Sequence, residues 1–202
     1  MKVAIIGAGN VGRALGGALA RAGHSVVFGV RTPDPASPDQ TSIQSAVGPA
    51  DAVILAVPFG AVKDIATETG GLAGKVVIDL TNPLGMTADG LGLTIGFTTS
   101  GAEAIAALLP AAYIYKAFNQ TGLENLGDAG GYAHKPVMFV AGDHAPGKPI
   151  VTRLVEDAGF EAIDAGGLRA ARLLEPLAML WIELARKRGL GSGFTFALQR
   201  KA

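Results

Sequence analysis

The chain has 202 residues, enough for one substantial hydrophobic core or for one domain with a small appendage. Seventeen Lys and Arg balance seventeen Asp and Glu, which removes any bulk electrostatic draw toward nucleic acid or an anionic membrane surface. Cysteine is absent, excluding disulfides and thiolate metal sites, and the three scattered histidines (His24, His134, His144) lack metal-ligand spacing.

Read in chain order, short apolar runs alternate with helical segments. Val3 to Ile6, Ser25 to Phe28, Ala52 to Val57, Val76 to Leu80, Ala112 to Ala117 and Val137 to Ala141 each read as a buried strand. Continuous apolar runs of this kind suit a parallel sheet covered on both faces. Helices are expected near 10–22, 60–68, 101–109 and 147–158, giving a β-α-β alternation. Ser100-Gly101-Ala102-Glu103 has capping-box spacing, and Pro110 closes the helix that it opens. Between Arg31 and Gln40, three prolines (Pro33, Pro35, Pro38) exclude helix and central strand and predict a surface loop.

Gly166-Gly167 leads into a helix expected from about Leu168 to Arg188. Its apolar residues cover more than one face, which predicts burial between elements or subunits, and Pro176 should bend or split it. These features define an α/β fold: a doubly wound, mainly parallel Rossmann domain over 1–165 and a small helical appendage over 166–202. The weakly alternating tail Gly191 to Phe196 is expected beside the site. Met1-Lys2 runs directly into a four-residue apolar strand, too short for a signal-peptide core, and no uninterrupted apolar stretch spans a membrane. The expectation is a soluble, cytoplasmic protein.

The chemistry is carried by Gly7-Ala8-Gly9-Asn10-Val11-Gly12, a G-x-G-x-x-G run. Such a run is weak alone, and an ordinary glycine-rich turn is the competing account. Here it follows a strand, opens a helix, and is completed by a second strand within about thirty residues. Gly7 allows the tight turn, Gly9 the backbone's approach to a pyrophosphate, and Gly12 close helix-strand packing. The helix N-terminus adds free N–H groups and partial positive charge. NAD enzymes place Asp or Glu at the end of the second strand; here stands Phe28-Gly29-Val30-Arg31-Thr32. Arg31 is the candidate 2′-phosphate ligand and Thr32 a hydroxyl donor, against the alternative of a solvated loop arginine. NADP is favoured. Ala56-Val57-Pro58 and Asn82-Pro83 end two further strands, where prolines can shape a wall for a flat ring or simply terminate the strand.

With these motifs, Lys116-Ala117-Phe118-Asn119 and Leu174-Glu175-Pro176-Leu177-Ala178, the chain resembles the coenzyme F420-dependent NADP oxidoreductases over nearly its whole length. More distantly it resembles the nucleotide-binding domain of the STEAP-type metalloreductases. The resemblance implies hydride transfer between NADP(H) and a deazaflavin in a shallow cleft between the Rossmann domain and the C-terminal helices. By position it implies Gly7 to Gly12 at the pyrophosphate, Arg31 at the 2′-phosphate and Val57-Pro58 on the adenosine side. Asn82-Pro83 and Ala117 to Asn119 fall near the nicotinamide. Family members often carry a basic residue shortly after the arginine; the Pro-rich loop here has none, which predicts a thin 2′-phosphate grip.

No Ser-His-Asp order, carboxylate pair or metal cluster occurs in a motif, which agrees with chemistry left to the cofactors. Lys116 is either a cation near the acceptor or a solvated strand end, and Arg172 with Glu175 an exposed helix pair. Arg169, Arg172, Arg186, Lys187 and Arg188 on the late helix are candidates for holding an anionic acceptor tail, against a simply solvated helix face. Three function classes follow: reduction of F420; reduction of a flavin, ferric chelate or small carbonyl or imine on the same scaffold; and a non-catalytic NADP(H)-binding redox sensor. The small-molecule acceptor is joined by one protein partner, a second copy of the chain through the apolar late helix.

Overall fold

The computed structural model describes residues 1–201. Eight strands form one sheet: β1 (Lys2–Ile6), β2 (Ser25–Val30), β3 (Gln40–Ser42), β4 (Ala52–Leu55), β5 (Val76–Asp79), β8 (Tyr113–Lys116), β9 (Val137–Gly142) and β10 (Glu161–Asp164). Two more, β6 (Leu84–Thr87) and β7 (Gly90–Leu93), make a separate antiparallel hairpin. The main sheet runs in the order β10-β9-β8-β5-β4-β1-β2-β3 and is parallel except where β8 meets β9. Helices are α1 (Asn10–Arg21), α2 (Ile43–Val47), α3 (Val62–Thr69), α4 (Gly101–Leu108), α5 (Leu123–Gly127), α6 (Lys148–Asp157) and α7 (Ala171–Ile182).

Alternation along the strands explains why helices cover both faces. Val3, Ile5 and Ile54 point into a core that also contains Leu15 and Leu19 of α1 and Val151 and Leu154 of α6. Ala4, Ile6, Val53 and Leu55 point the other way, with Ile43 of α2, Ile65 of α3 and Ile105 of α4. β1, β4 and β5 are buried almost throughout, the burial that their unbroken apolar runs predict. The chain winds outward from β1 through β2 to β3, then returns to β4 on the other side. The switch point therefore lies between β1 and β4, outside whose carboxyl ends a ligand crevice forms in open α/β sheets.

α7 departs from the sequence expectation. Pro176 does not split it; α7 runs unbroken past it, with the ring on the exposed side, and passes into a π-helical turn at Glu183–Lys187. Nor do Arg172 and Glu175 pair. Arg172 donates from Nε and Nη2 to the two oxygens of Glu103 on α4, at 2.8 and 2.6 Å. Glu175 turns inward, 1% exposed, and accepts from the N–H groups of Gly101 and Ala102 at 2.8 and 3.0 Å. Ser100 caps the same helix by accepting from Glu103 N–H at 3.2 Å. The glutamate reaches the serine hydroxyl, 2.8 Å away, instead of its backbone N–H.

Lys116 is neither solvated nor aimed at an open site: it is completely buried. Its Nζ lies 2.8 Å from Asp79 Oδ2 and 2.9 Å from Glu175 Oε1, and it donates to the Thr81 carbonyl. One ammonium thus joins β5, β8 and α7 beneath the carboxyl edge of the sheet.

Lys116→Met leaves two buried carboxylates without their cation and should lower unfolding free energy by about 3–5 kcal/mol in urea titration. Adding Asp79→Asn and Glu175→Gln should recover part of that loss, since no buried charge is then unpaired. A second expectation concerns the surface pair of α4 and α7. The Arg172 guanidinium holds the Glu103 carboxyl below the usual carboxylate range, against an opposing push from burial. A depressed folded pKa stabilises above the unfolded pKa and is lost as pH falls through the folded one. Glu103→Gln should therefore lower Tm at pH 7, and the gap to the parent should close below about pH 4 in a melting series.

Candidate functional site

β1 ends at Ile6 and the chain turns at Gly7, whose φ of +105° is a left-handed conformation that a side chain resists. A Cβ there would also stand 2.5 Å from the Ala56 carbonyl oxygen, so the glycine lets the turns after β1 and β4 touch across the switch point. Gly12, one turn into α1, is buried, and a Cβ on it would collide with the Gly7 carbonyl. Gly9 differs: a Cβ on it would meet nothing within 4 Å. Its bareness is not required by internal packing and leaves the α1 N-terminus open to the outside. Gly9 is the N-cap, no side chain caps the helix, and the first turn holds no acid.

Two adjoining cavities lie along this edge. The first, about 400 Å³, is bounded by Gly7, Gly29, Arg31, Val57, Pro58 and Ile65 among others, and Arg31 is the one charged residue on its wall. The second, about 440 Å³, brings together Gly9, Asn10, Val11, Ala56, Val57, Pro58 and Asn82. Val57 and Pro58 belong to both, forming the ridge between them. Leu55, Phe59, Leu80, Thr81, Leu84 and Leu123 complete the second cavity, whose wall carries no ionisable side chain. Sequence reasoning did not single these out as site residues. Thr81 immediately precedes the Asn82-Pro83 strand end, whereas Leu84 and Leu123 belong to short elements without a periodic signal.

The remaining expected site residues lie elsewhere. Ala8 packs partly buried against the core, and Thr32 is exposed and lines neither cavity. Pro83 is buried behind Asn82, where its carbonyl accepts from Thr94. Ala117 is wholly buried and Asn119 is 5% exposed. The Asn119 amide is committed within the protein: Nδ2 donates to Asn82 Oδ1 at 3.0 Å and to the Leu174 carbonyl at 3.1 Å, while Oδ1 accepts from Gln120. Asn82 Nδ2 returns a bond to the Asn119 carbonyl at 3.2 Å. The pair locks the turns after β5 and β8 together and ties both to α7. Between them, Phe118 holds φ at +62°, a strained value for a bulky residue, with its ring buried.

Arg31 pairs with Asp64 of α3, Nη2 to Oδ2 at 2.9 Å, with both side chains largely exposed. At the far side, the C-terminal tail is strapped down by Asn125, which donates to the Ser192 and Phe194 carbonyls at 3.1 and 2.9 Å. Trp181 Nε1 donates to the same Phe194 carbonyl, and their rings stack at 5.3 Å. The tail thus packs on α5 and α7; Leu123, at the start of α5, lines the second cavity. Arg172, engaged with Glu103, and Arg169 both line a separate hollow of about 430 Å³ with Phe97 and Leu173. Among the described residues no cluster of His, Asp and Glu could hold a metal ion, and no helix is long and apolar enough to cross a membrane.

Comparison with known proteins agrees with this arrangement. Residues 2–83, from β1 to the Asn82-Pro83 turn, match the family model described as NADP oxidoreductase, coenzyme F420-dependent. The chain is 30% identical to the F420-dependent NADP reductase of Methanothermobacter thermautotrophicus, covering 91% of this chain and 89% of that protein. It is also 30% identical to metalloreductase STEAP3 of Rattus norvegicus over 89% of its own length, but spans only 37% of that larger protein. A crystal structure of a candidate F420-dependent NADP-reductase from Arthrobacter sp. FB24 superposes with a TM-score of 0.88 at 31% identity, covering 99% of this chain and 100% of that one. The chain therefore belongs to the coenzyme F420-dependent NADP oxidoreductases and is an NADP-dependent oxidoreductase.

Proposed function

We propose that the protein transfers a hydride between NADPH and a deazaflavin of the F420 type, across the cavity bounded by Ala56, Pro58, Leu80 and Asn82. The observation that carries this reading is the wall of that cavity, apolar or neutral throughout and without an ionisable side chain. Reduction of a carbonyl or imine calls for a positioned proton donor, and this wall offers none. Hydride delivery to a deazaflavin leaves a negative charge delocalised over its ring, which backbone N–H groups can stabilise without a side-chain acid. Beyond that it needs alignment of the two rings and exclusion of water.

In this reading residues 1–165 form the NADP-binding domain and 166–202 close the acceptor side. Gly7 to Gly12 and the open N-terminus of α1 receive the pyrophosphate, which the uncapped N–H groups and the bare Gly9 fit. Arg31 holds the 2′-phosphate. Val57 and Pro58, common to both cavities, separate the adenosine and nicotinamide halves. Asn82 presents an edge to the ring while Asn119, behind it, fixes its orientation. Leu80, Leu84 and Leu123 keep water from the reacting faces. NADPH, when bound, supplies the hydride, and the protein's part is to align, anchor and dry the site.

The exposed face of α7 supports a homodimer. Leu173 is 72% exposed and Leu180, two turns on, 49%, with Pro176 exposed between them. Such a stripe is better covered than solvated.

Mixing purified protein with NADPH and oxidised F420 should bleach the F420 absorbance in a saturable manner, with FMN and FAD turned over far more slowly. Arg31→Ala should raise KM for NADPH about tenfold or more, the size expected for losing a charge-assisted contact, and leave KM for NADH unchanged. Turnover of flavin or ferric chelate without F420 would assign the other acceptor. Light scattering should give twice the chain mass, and Leu180→Lys should shift it to one chain.

A further inference from the structure

Beside the first cavity, Arg31 and Asp64 place two charges of opposite sign next to each other. The end of β2 carries a guanidinium in place of the acid common in NAD enzymes. The structure restores an acid to the same place from another element. Asp64, in the first turn of α3, lies 33 residues along the chain from Arg31 and pairs with it at 2.9 Å. Arg31 is the one charged group on the wall of the cavity, and both side chains of the pair are more than half exposed.

An acid in the first turn is favourable to α3 whatever it faces, so the helix alone could account for a carboxylate at 64. It does not account for the reach to Arg31. That contact takes up the very guanidinium that a 2′-phosphate needs. An exposed pair of this kind is weak, so a phosphate can displace the carboxylate. The displaced Asp64 nevertheless stays on the neighbouring helix, and a phosphate held by Arg31 lies within a Debye length of it, about 8 Å at physiological salt.

We infer that Asp64 is a specificity-determining residue that limits the preference for NADP(H) over NAD(H), by competing for Arg31 and by repelling the 2′-phosphate. The inference rests on the reading of Arg31 as the 2′-phosphate ligand. A 2′-hydroxyl carries no charge to repel and can donate to a carboxylate, so Asp64 does not penalise NADH as it does NADPH. The loop after Arg31 adds no Lys or Arg to outweigh the acid, which gives the carboxylate its leverage.

The test is calorimetric titration of the purified full chain with NADPH and with NADH, for the parent, Asp64→Asn and Arg31→Ala. Both side chains are exposed, and melting curves verify that the variants fold. Asp64→Asn should tighten NADPH about three- to tenfold at low salt, by an amount that shrinks as salt is raised, with no tightening of NADH. A purely structural role in α3 would weaken both cofactors alike. If Arg31→Ala weakens NADPH selectively but Asp64→Asn leaves it unchanged or weaker, the inference about Asp64 is overturned and the reading of Arg31 stands. If Arg31→Ala leaves the ratio of the two affinities unchanged, the reading of Arg31 falls and the inference with it.

Discussion

A buried ammonium holds the working edge of this protein together. Lys116 has no solvent exposure, and its charge is met by Asp79, Glu175 and the Thr81 carbonyl. Two carboxylates against one ammonium leave an excess negative charge, and the N-terminus of α4 answers it, since Gly101 and Ala102 donate to Glu175. Such a cluster need not make the fold more stable than well-packed apolar residues of the same volume. What it does fix is register. β5, β8, α4 and α7 each contribute one member, so none can slide without stranding a charge. The amide pair of Asn82 and Asn119 repeats the logic one layer nearer the surface and reaches α7 through the Leu174 carbonyl.

The consequence for the site is a neutral wall over a charged floor. Thr81 joins the two. Its N–H donates to Asp79 and its carbonyl accepts from Lys116, while the residue itself lines the second cavity. Ionic groups therefore set where the wall stands without facing whatever binds against it. The strained φ of Phe118 belongs to the same device: the turn after β8 must bring Asn119 back toward Asn82, and the surrounding contacts hold a conformation that the residue alone would avoid.

Much of this was legible in the sequence, and the rest was hidden for identifiable reasons. The apolar runs of β1, β4 and β5 and the glycine turn carry strong local signals, because a strand buried on both faces and a turn at the switch point tolerate few residue types. The short elements β3, α2, α5 and the β6–β7 hairpin have three to five residues each, too few repeats of either period to show a pattern. Lys116 and Glu175 were misread because charge in a strand end or helix ordinarily means solvent, and their partners lie 37 and 74 residues away. Pro176 was expected to bend or split its helix; it does not split it, and the residue lies on the exposed side of α7.

The same separation of tasks bears on how a dinucleotide is gripped. Along the cavity edge the fixed features are steric: two glycines that cannot accept a Cβ, an uncapped helix N-terminus, and the Val57-Pro58 ridge. In the proposed reading they would act on parts common to every nicotinamide dinucleotide. The features that could tell one dinucleotide from another are a single exposed arginine and the exposed acid beside it. Side chains exposed to water have little to hold them in place and are screened by salt. In that reading, recognition of the shared scaffold would be built into the backbone, while discrimination at the 2′ position would rest on two exposed side chains.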